Sequence, residues 1–116
     1  MILVVDSDEV FGKCILETLK KNGFDGHLSN NAIVAINDIS EEAPSLVFLD
    51  PILTGPDGFT FLNEMASYAD TLDVPIVIVS EKDFSGFDLS EYNVVGVLDK
   101  NKIKPKETLS YAREYA

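Results

Sequence analysis

Four apolar runs in this sequence each end on a residue able to handle phosphate. Ile2 to Val5 leads into Asp6, with Ser7 and Asp8 directly behind it. Leu46 to Leu49 leads into Asp50, Val74 to Val79 into Ser80, and Val94 to Leu98 into Asp99 and Lys100. Carboxylates that meet from separate segments repel, and each holds its proton more tightly unless a cation lies between them. Asp6, Asp8 and Asp50 together therefore predict a hard divalent ion. Mg2+, which takes oxygen ligands and keeps several waters, suits the set. Such an ion and the Lys100 ammonium would neutralise phosphate oxygens while Ser80 donates a hydrogen bond to another, an arrangement suited to phosphoryl transfer onto a carboxylate.

Two chemistries compete for the opening stretch VVDSDEV. Taken alone, an apolar strand followed by Asp, any residue, Asp, any residue and Val resembles the first motif of haloacid dehalogenase-like phosphatases. Asp6 would then be the nucleophile and Asp8 the acid-base. The chain is short for that fold, no strand after Lys100 ends in further acids, and Asp50 goes unexplained. In the other reading Asp6 supports a metal while the nucleophile stands elsewhere. Plain structural roles also exist: Asp6 and Asp8 suit a helix entry, Asp50 before Pro51 suits a turn, Ser80 could cap a helix, and Lys100 could solvate a loop.

The elements that must position these residues follow from hydrophobic spacing. The four runs are short, rich in branched residues and not alternating, as expected of buried parallel strands; a fifth short strand fits Gly26 to Ser29. Phe11, Cys14, Ile15 and Leu19 share one helical face, ending near Gly23, a plausible left-handed cap. Ala32, Ile33, Ala35, Ile36 and Ile39 repeat the pattern after Asn30-Asn31, and Phe61, Leu62, Met65 and Ala66 form a third face. Ile103, Leu109 and Ala112 suggest a last helix. A fourth helix over Asp83 to Tyr92 lacks a clean apolar stripe and contains Gly86. Strand and helix thus alternate five times, which predicts an α/β fold: a flavodoxin-like, doubly wound five-stranded parallel sheet of order 2-1-3-4-5 with helices on both faces. In such sheets ligands bind beyond the carboxyl ends of the strands, where the four chemical residues lie.

At 116 residues, 46% hydrophobic and 25% charged, the chain is expected to form one domain over 1–116. Twenty acids against nine bases, a formal charge of -11, argue against nucleic acid or an anionic membrane as direct partner and favour a protein. Lys100, Lys102, Lys104 and Lys106 form a basic patch within this acidic field. Cys14, the single cysteine, excludes an internal disulfide and is expected in the core, and a reducing, cytoplasmic location is the default. The apolar run Met1 to Val5 is too short for a signal-peptide core or a membrane span. His27 is expected at the surface, and one histidine cannot form an imidazole metal cluster.

ILVVD, LVFLD with Asp57-Gly58 seven residues on, VPIVIVS and GVLDK together resemble the receiver domain of two-component response regulators across essentially the whole chain. The resemblance implies that Asp50 is the phosphoacceptor, that Asp6 with Asp50 and the Ile52 backbone carbonyl serves Mg2+, that Ser80 is the switch hydroxyl, and that Lys100 contacts the phosphoryl group. It implies a histidine kinase or histidine phosphotransfer protein as donor and a downstream protein or fused output domain as recipient. The signal would pass through the surface around the fourth and fifth helices and strand five. No enzymatic activity beyond self-phosphorylation and self-dephosphorylation is implied.

Several positions depart from that family's pattern. Ser7 stands where a second adjacent acid is usual, which weakens the metal site unless Asp8 or a water held by Ser7 compensates. Asn101 replaces a proline after the lysine, Val97 replaces the usual switch aromatic on strand five, and Thr54 replaces a proline after the phosphoacceptor. These changes keep a second reading open: a receiver-like interaction module that works without phosphorylation.

Overall fold

A computed structural model describes residues 1–53, 57–84 and 86–116. The elements in chain order are β1 (Ile2–Val5), α1 (Glu9–Lys21), β2 (Gly26–Ser29), α2 (Ala32–Glu41), β3 (Leu46–Leu49), α3 (Gly58–Ala66), β4 (Ile76–Ser80), β5 (Val94–Asp99) and α4 (Pro105–Tyr115). The strands form one parallel sheet in the order β2-β1-β3-β4-β5, the flavodoxin-like topology expected.

Alternation along the central strands divides the core into two layers. Leu3, Val5, Val47, Leu49, Ile76 and Ile78 face one way and pack with α2 through Ala35 and Ile39 and with α3 through Phe61 and Met65. Ile2, Val4, Leu46, Phe48, Val77 and Val79 face the other way and pack with α1 through Ile15 and Leu19 and with α4 through Ala112. Each such fully buried aliphatic or aromatic side chain stabilises the fold by about 1.5–3 kcal/mol. Because β1, β3 and β4 are buried along their whole length, their register is firm and their final residues emerge on one edge.

The helices start where the side chains direct. Asp8, Asn31 and Asp57 cap α1, α2 and α3 by accepting from the N–H groups of Phe11, Val34 and Thr60, satisfying donors that the first helical turn leaves unpaired. At the far end of α1, Gly23 adopts a φ of 86°, the left-handed conformation in which glycine avoids the Cβ clash.

Five expectations change. β4 starts at Ile76 and not at Val74, because Pro75 has no N–H to give a ladder; only its carbonyl is used, by Val47 N–H at 3.0 Å. β5 runs on to Asp99 and is not a fully buried strand: it forms the sheet's edge, where Leu98 alone is buried. No helix joins β4 to β5 among the described residues, so the chain carries four helices there and not five. Asp88 and the backbone of Phe84 and Leu89 bind their own neighbours in turns, and the segment is held by Phe84, buried in the core and packed against Phe59 and Phe87. The last helix begins at Pro105, leaving Ile103 in the preceding loop. Cys14 is exposed, since α1 buries Gly12, Ile15 and Leu19 and the residue before Ile15 lies about 100° around the helix from it.

Candidate functional site

At the carboxyl edge of the sheet, four strands end in the same local device. Asp6 Oδ1 accepts from Asp8 N–H at 2.9 Å, Asp50 Oδ1 from Ile52 N–H at 2.9 Å, Ser80 Oγ from Lys82 N–H at 3.2 Å, and Asp99 Oδ1 from Asn101 N–H at 2.8 Å. A short polar side chain bonding the backbone two residues on ends a strand in a turn. Backbone bonds then stitch the ends together: Asp50 N–H donates to Val5 at 2.9 Å, and Lys100 N–H to Ser80 at 3.0 Å.

Those turns leave the second oxygen of Asp6 and of Asp50 free to meet one cation. Lys100 Nζ lies 2.7 Å from Asp6 Oδ2 and 2.8 Å from Asp50 Oδ2, with its side chain only 7% exposed. The ammonium also sits over the Phe11 ring, 4.6 Å from its centroid. Both carboxylates are buried, Asp6 2% and Asp50 8% exposed, so these bonds act at low local dielectric. Burial pushes the Asp6 carboxyl above its usual range, and hydrogen bonds from Lys100 and from the Asp8 amide offset this only in part. Burial alone would lower the Lys100 ammonium, but the hydrogen bonds and charges of Asp50 and Asp6 outweigh it and hold it above its ordinary 10.5.

Asp6, Asp50 and Lys100 therefore converge, and Ser80, buried on the adjoining strand, is tied to Lys100 through the backbone. Asp8 does not join them. It is exposed at the N-terminus of α1, where its carboxylate accepts from Phe11 N–H at 3.1 Å. Among the described residues no three His, Cys, Asp or Glu side chains are gathered to share a metal, so the expected set of three carboxylates is reduced to two. The turn at Asp6 explains the loss, because it delivers Asp8 to the helix cap. Ser7 is half-buried, and the Ile52 side chain is exposed. Thr54 lies outside the described residues. The basic patch also divides: Lys100 turns inward while Lys102, Lys104 and Lys106 stay exposed.

Two contributors were given no part in the pocket from the sequence, although Gly58 was noted there as half of the Asp57-Gly58 motif. Phe11 reads there as one more apolar helical position; only its place in the first turn after Asp6 hints at a pocket wall. Gly58 opens α3 with its N–H 2.8 Å from the Pro51 carbonyl, and a Cβ at this position would overlap the Pro51 backbone. Glycine is required there for the helix to approach the loop that follows Asp50.

A family model described as "Response regulator receiver domain" matches residues 2–112. The chain belongs to this family. Among curated proteins, the phosphate regulon transcriptional regulatory protein PhoB of Escherichia coli (strain K12) is 28% identical over 81 residues, 70% of this chain and 35% of that protein. The chain thus spans about a third of the length of the curated relatives it matches. The receiver domain of NtrX from Brucella abortus superposes with a TM-score of 0.85 at 25% identity, covering 98% of this chain and 96% of that one. The receiver domain of sensor histidine kinase PA1611 from Pseudomonas aeruginosa PAO1, described with a magnesium ion coordinated in its active site cleft, gives a TM-score of 0.86 at 20% identity, with 98% and 94% covered. Receiver domains are signalling domains of two-component systems, and membership removes the phosphatase reading of VVDSDEV. Among the described residues of this receiver domain, no helix is long and apolar enough to cross a membrane.

Proposed function

We propose that Asp50 accepts a phosphoryl group from a phosphohistidine on a histidine kinase or phosphotransfer protein, and that the modified domain signals by protein contact. The observation that carries this reading is the buried Asp50 carboxylate at the sheet edge with the Lys100 ammonium 2.8 Å away. A carboxylate oxygen of Asp50 attacks phosphorus, the nitrogen–phosphorus bond breaks, and the leaving imidazole takes up a proton. Lys100 stays beside the incoming phosphoryl oxygens and neutralises them, and the Ser80 hydroxyl rotates to donate to another.

The oxygen donors present fit Mg2+, which binds proteins through one or two carboxylates and retained waters. Asp6, Asp50 and the Ile52 carbonyl would hold it, with Ser7 able to support a bound water. When bound, the ion would neutralise charge on the transferring group.

Ser80 now accepts from Lys82 N–H, and the Lys82 ammonium lies 5.7 Å from the centroid of the Phe87 ring. Drawing the hydroxyl toward a phosphoryl group would loosen this turn and the segment anchored by Phe84. Val97, exposed on β5, has no ring to follow it. The segment between β4 and β5, together with β5, α4 and the exposed lysines, is therefore the surface through which a downstream protein or fused output domain would be addressed.

Incubation with Mg2+ and a small phosphodonor, followed by intact-mass measurement, should show one added phosphoryl group that Asp50→Asn abolishes. The absence of any adduct would favour the second reading, a phosphorylation-independent interaction module, which Ser7 and the diversion of Asp8 to a helix cap support.

A further inference from the structure

We propose that Phe11 and Lys100 form a built-in counter-ion that competes with Mg2+ for Asp6 and Asp50, so that Phe11, a residue outside the reacting groups, sets the metal affinity of the pocket. The inference rests on the reading above only in siting the ion at these two carboxylates.

Lys100 Nζ contacts the Oδ2 atoms of both acids, at 2.7 and 2.8 Å. The Oδ1 atoms are engaged by the N–H groups of Asp8 and Ile52. A divalent ion held by these carboxylates would repel the ammonium beside them, so its binding would weaken the hold of Lys100 on at least one of the two. Among the described residues no third acid is gathered there to offset that repulsion: Ser7 is neutral, and Asp8 caps α1. Two carboxylates and one ammonium leave the pocket a single net negative charge.

Phe11 makes the displacement harder. Its ring lies under the ammonium at 4.6 Å, and its backbone N–H is held by Asp8 at 3.1 Å. The cap of α1 thus holds the backbone that carries the ring, and the ring face lies against the lysine. An aromatic face in contact with a desolvated cation contributes an attraction that an aliphatic side chain cannot.

Isothermal titration of Mg2+ into the full chain tests this, with a urea midpoint measured for each variant. Lys100→Met should bind Mg2+ at least about tenfold more tightly than the unaltered protein, because the competitor is gone and the carboxylate charge is uncovered. Phe11→Leu, which keeps every charge, should tighten binding about two- to fivefold, and Phe11→Tyr, which keeps the ring face, should restore the original affinity. Unchanged or weaker Mg2+ binding by Lys100→Met overturns the competition. Equal affinities for Phe11→Leu and the unaltered protein overturn the role of Phe11, and this comparison decides the matter if Lys100→Met does not fold. None of these readouts involves phosphorylation, so failure of Asp50 to take a phosphoryl group would leave the result standing.

Discussion

Replacing Lys100 with methionine nearly keeps the volume of the side chain, shortens it by one atom and removes its charge. Asp6 and Asp50, both buried and both bonded to Nζ, would then face one another without a counter-ion. Breaking a buried ion pair by removing one partner costs about 3–5 kcal/mol, and loss of the contact with the Phe11 ring adds about 0.5–1 kcal/mol. Against a total stability of about 5–15 kcal/mol for a domain of this kind, Lys100→Met should be folded but marginal at pH 7 without Mg2+. Urea unfolding followed by circular dichroism measures the loss as a lower midpoint at unchanged slope. The deficit should shrink on acidification, because a folded state that crowds two carboxylates binds a proton more tightly than the unfolded chain does, and its stability therefore falls as pH rises. Adding Asp6→Asn to Lys100→Met should recover part of the loss at pH 7. A Lys100→Met protein within about 1 kcal/mol of the original at pH 7, or a deficit that is the same at pH 5, would refute the view that Lys100 neutralises the pocket.

Three further outcomes follow from the same geometry. In the unaltered protein, the folded-state Lys100 ammonium is held above its ordinary 10.5, so its contribution is fully present below that pH and is lost as pH rises through the folded value; alkaline urea titrations should show this loss, and Lys100→Met should lack it. Asp8→Ala removes the cap of α1 and should cost about 1 kcal/mol in the urea midpoint, while phosphoryl labelling of Asp50 persists, since Asp8 is not gathered with the pocket acids. Phe84→Ala should destabilise by about 3–5 kcal/mol and increase amide exchange between β4 and β5, because Phe84 is the buried anchor of that segment; exchange equal to that of the original protein would show the anchor to be elsewhere.

The alternation of apolar runs with helical faces was sufficient to predict a doubly wound parallel sheet, because strands buried on both faces must be apolar throughout and helices must each turn an apolar stripe to the sheet; the strand order came with the flavodoxin-like class and not from the pattern itself. The same pattern brought Asp6, Asp50, Ser80 and Lys100 to strand ends, and parallel strands bring those ends to one edge. Local spacing was less informative where the environment decides exposure. Cys14 differs from Ile15 by one helical position, which is enough to turn it from the core to the surface. The apolar letters of β5 did not reveal that it forms an edge, since edge position depends on sheet order and on what covers the strand. Between β4 and β5, glycine and turn-forming acids signalled a poor helix, but the anchoring of Phe84 against Phe59 needed contacts distant in sequence.

The pocket divides in the same way. Residue types alone determined that carboxylates, a hydroxyl and a lysine would meet, because these are the polar residues that end otherwise apolar strands. Only the tertiary structure decided their pairing. The turn at Asp6 sends Asp8 to cap a helix and not to bind beside Asp50, and Lys100, one of four lysines in a basic run, enters the sheet edge while its neighbours remain in solvent. A sequence gives charges in order along the chain; which charge neutralises which depends on distances of about 3 Å between residues far apart in that order.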